Sequence, residues 1–154
     1  MEIVTKSARE TQDLGEKIAN NLIINHQPLI IALYGDLGSG KTTFMQGLAL
    51  GLGIKKRVLS PTFVLMRQYP ISSIKYLVSN LIHVDLYRIK DEKDVESLGL
   101  EELWSDPNNV MAIEWPEKIE KILPEKRTNI YFEYLGENER KIRIDGQWLM
   151  ANGS

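Results

Sequence analysis

Cysteine is absent from this chain. Without thiols there is no disulfide framework, no zinc–thiolate site and no cysteine nucleophile, and a reducing cytoplasm is the compartment that such a composition suits. No apolar run approaches the ~20 residues needed to cross a bilayer, so no membrane contact is expected. The N-terminus carries Glu2, Lys6, Arg9 and Glu10 with no apolar core, unlike a secretory signal. Positive charge is not in excess: 19 Lys and Arg stand against 21 Asp and Glu, a net of −2. Neutralising a nucleic-acid backbone takes a basic surface, so any RNA is expected to be reached through a partner. Arginines are few and dispersed, which disfavours the arginine-rich lid of a small-molecule kinase. No asparagine is followed by lysine, so the Asn-Lys-x-Asp element of guanine readers is missing and ATP is the default nucleotide.

What is present points to one domain over residues 1–154, with 43% hydrophobic and 26% charged residues, enough for a real core. Its organising stretch is Gly35-Asp36-Leu37-Gly38-Ser39-Gly40-Lys41-Thr42, a G-x-x-x-x-G-K-T phosphate loop. Gly35 and Gly40 let the backbone curl and turn its N–H groups inward. Together with the positive end of the following helix, those donors make a cradle for phosphate oxygens. Lys41 reaches the β- and γ-phosphates, and the Thr42 hydroxyl ligates Mg²⁺. The context agrees. Pro28 to Tyr34 is an apolar run with the pattern of a buried strand, and Phe44, Leu48 and Leu52 mark an apolar helix face.

Before the loop, Ser7 and Glu10 have capping-box spacing, and Leu14, Ile18 and Leu22 line a helix running to about Asn25. After it, Lys55-Lys56-Arg57 is a basic cluster, either a solvated loop or a contact for an acidic or RNA-bearing partner. Phe63 to Tyr69 reads as a strand, and Ser72 to Asn80 as a connection or short hairpin. Leu81 to Ile89 reads as a strand on which His83, Asp85 and Tyr87 share one face, a site or else the solvated face of an edge strand. Lys90 to Trp104 holds six carboxylates against two lysines, as one or two short surface helices broken at Gly99. Val110 to Ile113 is a buried strand that ends at Glu114-Trp115-Pro116-Glu117, and Asn129 to Leu135 with Lys141 to Ile144 forms a hairpin around Gly136. The fold class is therefore α/β, P-loop NTPase-like, a mainly parallel sheet flanked by helices with an antiparallel C-terminal hairpin.

Phosphoryl chemistry needs Mg²⁺ and a group that positions the nucleophile. Asp85 and Glu114 both qualify as the metal-side carboxylate at a strand end. Glu114 has the cleaner context, because a continuous apolar run delivers it to the carboxyl edge where ligands bind in open α/β sheets. Asp85 is then free to sit near the γ-phosphate and orient water.

Five segments together carry a family resemblance. They are Gly35 to Thr43, Ser60-Pro61-Thr62-Phe63, His83-Val84-Asp85-Leu86-Tyr87-Arg88, Leu98 to Glu102 and Ile113 to Glu117. In order and approximate spacing they resemble the bacterial TsaE (YjeE) family, from Ser7 to about Ile144. The resemblance implies an ATPase needed to make threonylcarbamoyladenosine at the tRNA position next to the anticodon. It also implies TsaD-like and TsaB-like partners on which the protein docks. Carried over, Thr42 and Glu114 match the Mg²⁺ ligands and Gly38, Ser39, Gly40, Lys41, Thr42 and Thr43 the triphosphate cradle. Asp85 matches the essential acidic residue, and Thr62 a position that senses the γ-phosphate. Thr11 matches a contact on the adenine side and Trp115 an aromatic beside the pocket. A basic residue from the hairpin belongs near the base, and Arg140 and Lys141 are both candidates. With Lys41, Asp85 and Glu114 as its catalytic set, the chain is read as a Mg-dependent ATPase, weak alone. The rival is a nucleotide-gated binding module in which hydrolysis is incidental.

Overall fold

The computed structural model is a seven-stranded mixed sheet with helical elements packed on both faces. It describes residues 1–22, 29–58, 65–71 and 78–146. The strands are β1 (Glu2–Thr5), β2 (Leu29–Tyr34), β3 (Met66–Pro70), β4 (Asn80–Asp85), β5 (Asn109–Glu114), β6 (Thr128–Tyr134) and β7 (Arg140–Gly146). The α-helices are α1 (Ala8–Leu22), α2 (Lys41–Gly51) and α3 (Leu100–Ser105), with 3₁₀ turns at Glu92–Leu98 and Pro116–Ile119. Across the sheet the order is β1-β7-β6-β2-β5-β4-β3. The central strands β6, β2, β5 and β4 are parallel, whereas β7, β1 and β3 add antiparallel pairings at the two sides.

The parallel centre follows from strands that are apolar throughout. All six residues of β5 are buried, as are four consecutive residues of β2, because both sheet faces are covered. On one face, Leu14 and Ile18 of α1 and Phe44, Met45 and Leu48 of α2 pack against Ile31, Leu33, Ala112, Ile130 and Phe132. On the other, Ile30, Ile82, Val84, Met111 and Ile113 meet Val95, Leu100, Trp104, Ile119 and Leu123 from the short helical elements. The hairpin expected around Gly136 is β6–β7. The break expected at Gly99 separates the 3₁₀ turn from α3, with Gly99 at φ 65°.

Three elements differ from the sequence reading. The short strand β1 pairs with β7, although Ile3 and Val4 sit side by side and give no alternating pattern. The Phe63 to Tyr69 strand starts later, at Met66, with residues 63 and 64 outside the described residues. The Leu81 to Ile89 strand ends at Asp85. There the Asp85 carboxylate accepts the Tyr87 N–H at 3.0 Å, a local turn that competes with the ladder. Tyr87 therefore leaves the strand and stands 41% exposed, while His83 and Asp85 stay buried. The solvated-edge alternative fails for these two, because β3 pairs outside β4.

Candidate nucleotide site

Strand β2 delivers the chain to Gly35, and α2 starts at Lys41, so the phosphate loop joins a central parallel strand to a helix. Gly40 is the N-cap at φ 106°, and no side chain caps the helix. The first N–H groups of α2 are thus left for a ligand, and their dipole favours an anion. A side chain on Gly40 would be strained at that φ. The Ser39 hydroxyl, in the same loop, is buried without a hydrogen-bond partner.

Because β2, β4 and β5 are parallel, their carboxyl ends lie on one edge of the sheet. Asp85 ends β4 and Glu114 ends β5, and the two are register partners. They face a cleft of about 380 Å³ that is also lined by Leu37, Gly38, Gly40, Lys41, Thr42, Thr43, Tyr87, Trp115 and Arg140. The Lys41 ammonium donates to the Gly35 carbonyl and lies 4.2 Å from the centre of the Trp115 ring. Trp115 adopts φ 58°, a left-handed conformation rare for a large side chain, directly after Glu114. Its ring also meets Tyr87 at 5.2 Å.

Burial dominates the electrostatics. It pushes the Lys41 pKa below its ordinary value, against the opposing pull of Glu114, Asp85, Glu117 and Asp36. It pushes the Asp85 carboxyl up, with help from the Glu114 charge and against the Tyr87 hydrogen bond. Glu114 itself accepts from His83 Nε2 at 2.6 Å.

The hairpin supplies the remaining wall. Arg140 donates through Nη2 to the Gly38 carbonyl at 3.1 Å and through Nη1 to the carbonyls of Gly136 and Glu139 at 2.7 and 2.9 Å. Its guanidinium covers the Tyr134 ring at 4.6 Å. Lys141 points away and meets Glu2 of β1 at 3.6 Å. Of the two hairpin cations, Arg140 is the one at the loop.

Gly38, Gly40, Lys41, Thr42, Thr43, Asp85, Glu114, Trp115 and Arg140 are therefore brought together, with Ser39 buried in the same loop. Thr11 does not line the cleft. It is buried in α1, its hydroxyl 2.7 Å from that of Thr5 and 3.4 Å from the Ser7 carbonyl. Thr62 lies outside the described residues. Tyr87, a site candidate in the sequence together with His83 and Asp85, lines the cleft. Leu37 lines it without having been assigned there from sequence; the x positions of a phosphate loop carry no residue signal that would mark it.

Among the described residues no three His, Cys, Asp or Glu side chains converge as a protein-only metal cage. That fits Mg²⁺, which is held by one or two protein oxygens plus substrate phosphates rather than by a full protein shell. Thr42 and Glu114, which line one cleft with the buried Asp85 beside them, suit that role.

Loop, helix and strand-end carboxylates define a P-loop nucleotide-binding α/β protein. The family described as "Threonylcarbamoyl adenosine biosynthesis protein TsaE" matches residues 5–142, and the chain belongs to it. It is similar to proteins named tRNA threonylcarbamoyladenosine biosynthesis protein TsaE from several bacteria. The Bacillus subtilis protein is 42% identical, over 73% of this chain and 66% of its own length. The Aquifex aeolicus protein is 37% identical over 93% of this chain and 94% of its own, and that of Treponema pallidum 33% over 94% and 99%. The crystal structure of Bacillus subtilis YdiB superposes with a TM-score of 0.76 at 30% identity, covering 97% of this chain and 89% of that one. No described helix is long and apolar enough to cross a membrane.

Proposed function

We propose that the chain is a Mg-dependent ATPase that serves threonylcarbamoyladenosine modification of tRNA next to the anticodon, working on a TsaD–TsaB pair to sustain its turnover. The whole chain acts as one nucleotide-binding domain in the cytoplasm, and tRNA is reached through the partners, in keeping with a net charge of −2. One observation carries the reading. Lys41, Thr42, Asp85 and Glu114 meet in a single cleft at the head of α2 and the carboxyl ends of β4 and β5.

In that cleft the loop N–H groups from Gly38 to Thr43 would bind the triphosphate, and Lys41 would leave the Gly35 carbonyl and the Trp115 ring for phosphate oxygens. Thr42 and Glu114 would hold Mg²⁺, which when bound neutralises charge developing on those oxygens. Asp85 would orient the attacking water, and its raised pKa makes its carboxylate a better proton acceptor than an exposed one. Trp115 and Arg140 would close the walls of the cleft, with Thr62 as a further nucleotide contact carried over from the family resemblance.

The test is ATP hydrolysis by this chain alone, then with TsaD-like and TsaB-like proteins, then with tRNA. Activity that is low alone, rises with the partners and is lost on adding EDTA supports the proposal. It fails if Lys41→Ala or Glu114→Ala leaves ATP binding, hydrolysis and tRNA modification intact. Normal cycling of the modification by Asp85→Asn, binding ATP without cleaving it, would make the chain a nucleotide-gated scaffold.

A further inference from the structure

His83 has no part in the phosphate chemistry described so far. Its ring is fully buried on β4, and its Nε2 lies 2.6 Å from Oε2 of a buried Glu114. Between an imidazole and a carboxylate, nitrogen is the donor, so Nε2 carries the proton. The other ring nitrogen, Nδ1, is buried with no hydrogen-bond partner. The hydrogen bond to Glu114 is thus what distinguishes this ring from an apolar side chain of similar size. Leaving a buried polar atom without a partner is unfavourable, and packing alone would avoid that cost. Strand register explains the reach. His83 is the partner of Ala112, and Glu114 lies two residues further along the same face of β5, so the imidazole meets the carboxylate on the diagonal. Left alone, a glutamate side chain loses rotamer freedom when it is fixed by a ligand.

We propose that His83 is a positioning residue for Glu114: by donating Nε2–H to Oε2 it fixes the carboxylate, leaving Oε1 as the oxygen that the cation takes. The proposal rests on Glu114 being the metal-side carboxylate. Hydrogen-bond partners behind metal ligands orient them, and their loss costs about 10–100-fold in metal affinity.

Mn²⁺, as a stand-in for Mg²⁺, can be titrated into the ADP-saturated protein, with free Mn²⁺ followed by electron paramagnetic resonance. His83→Gln places an amide nitrogen near the position of Nε2, whereas the shorter His83→Asn cannot reach Glu114. His83→Asn is expected to weaken Mn²⁺ by about 10–100-fold, with ADP affinity in EDTA unchanged and His83→Gln close to wild type. In the Glu114→Ala background His83→Asn should have no further effect on Mn²⁺, because the two residues act as a unit. Should His83→Asn fail to fold, the volume-matched His83→Leu replaces it in the same titration. Equal Mn²⁺ affinity in wild type and His83→Asn, with a weakened Glu114→Ala, would overturn the positioning role. So would parallel loss of metal-free ADP binding in the Asn and Gln variants, which marks packing alone. Unchanged Mn²⁺ affinity in Glu114→Ala would instead overturn the assignment of Glu114 to the metal.

Discussion

Asp85 and Glu114 are register partners on adjacent parallel strands, so two buried carboxylates project from one face of the sheet into one cleft. Burial and the neighbouring Glu114 charge raise the Asp85 pKa above the ordinary 3.8. The folded state therefore holds the Asp85 proton more tightly than the unfolded chain does, and stability falls as pH rises through the interval between the ordinary and raised values. Above the raised value the whole penalty is present; below 3.8 it is gone. Asp85→Asn, which keeps an acceptor for the Tyr87 N–H, is expected to melt higher than wild type at neutral pH in EDTA without nucleotide. The gain should fade as the pH is lowered through that interval, each kcal/mol appearing as about 2–4 °C. Equal melting temperatures at neutral pH would show that the carboxylate pair carries no strain.

Lys41 presents the opposite charge with the same bias. Desolvation lowers its pKa, so the folded state gives up that proton more readily than the unfolded chain, and stability rises with pH across the interval below 10.5. Removing the charge while keeping the stem, as in Lys41→Met, should leave the melting temperature at neutral pH unchanged or higher. ATP affinity should nevertheless fall by about 10–100-fold, the worth of a lost charge-assisted contact. Calorimetric melts beside nucleotide titration check both halves. A variant that is destabilised and still binds ATP normally would reverse the assignment of Lys41 from ligand contact to structural strut.

The hairpin offers a comparison between neighbours. Arg140 ties the β6–β7 turn to the Gly38 carbonyl, whereas Lys141 meets half-exposed Glu2 at 3.6 Å. Arg140→Ala frees the Gly38 loop and removes a cation from the cleft, so nucleotide affinity should fall by about tenfold, the scale of one hydrogen bond to a charged group. Lys141→Ala loses only a surface ion pair, worth about 0–1 kcal/mol, and should bind nucleotide like wild type. Reversed effects would place the wrong side chain in the cleft.

That choice could have been made from the sequence by strand parity. Arg140, Ile142 and Ile144 alternate along β7, and both isoleucines belong to the core under α1 and α2, the same side as the phosphate loop. Lys141 shares the opposite face with Arg143. Much of the rest was legible because it was written in short-range code: the loop glycines, the apolar run that ends in Glu114, and the turn residues at Gly136. What was hidden depends on long-range pairing. The burial of His83 required knowing that β3 covers the edge of β4, and the role of β1 required its partner β7, more than 130 residues away. Tyr87 was misplaced within a strand because the Asp85 side chain, rather than the backbone pattern, ends β4. Thr11 entered as an adenine-side contact by resemblance, yet its hydroxyl is engaged with Thr5, a contact no spacing announces.

The head of α2 is held in place from behind by contact between helix backbones. A methyl group on Gly47 would lie 1.8 Å from the Gln12 carbonyl oxygen of α1, and one on Gly15 would lie 2.3 Å from the Phe44 carbonyl oxygen of α2. Neither neighbour is a side chain that can rotate away, so α1 and α2 would have to separate. Overpacking of this kind costs about 1–3 kcal/mol or more. Gly47→Ala should therefore lower the denaturant midpoint well beyond Gly136→Ala, whose added methyl meets nothing within 4 Å and whose effect should stay within about 0.5 kcal/mol. Because α2 carries Lys41 and Thr42 at its start, the same shift should weaken ATP binding in whatever Gly47→Ala protein remains folded. If Gly47→Ala were as stable as Gly136→Ala and bound ATP normally, the helix contact would not be what sets the position of the loop.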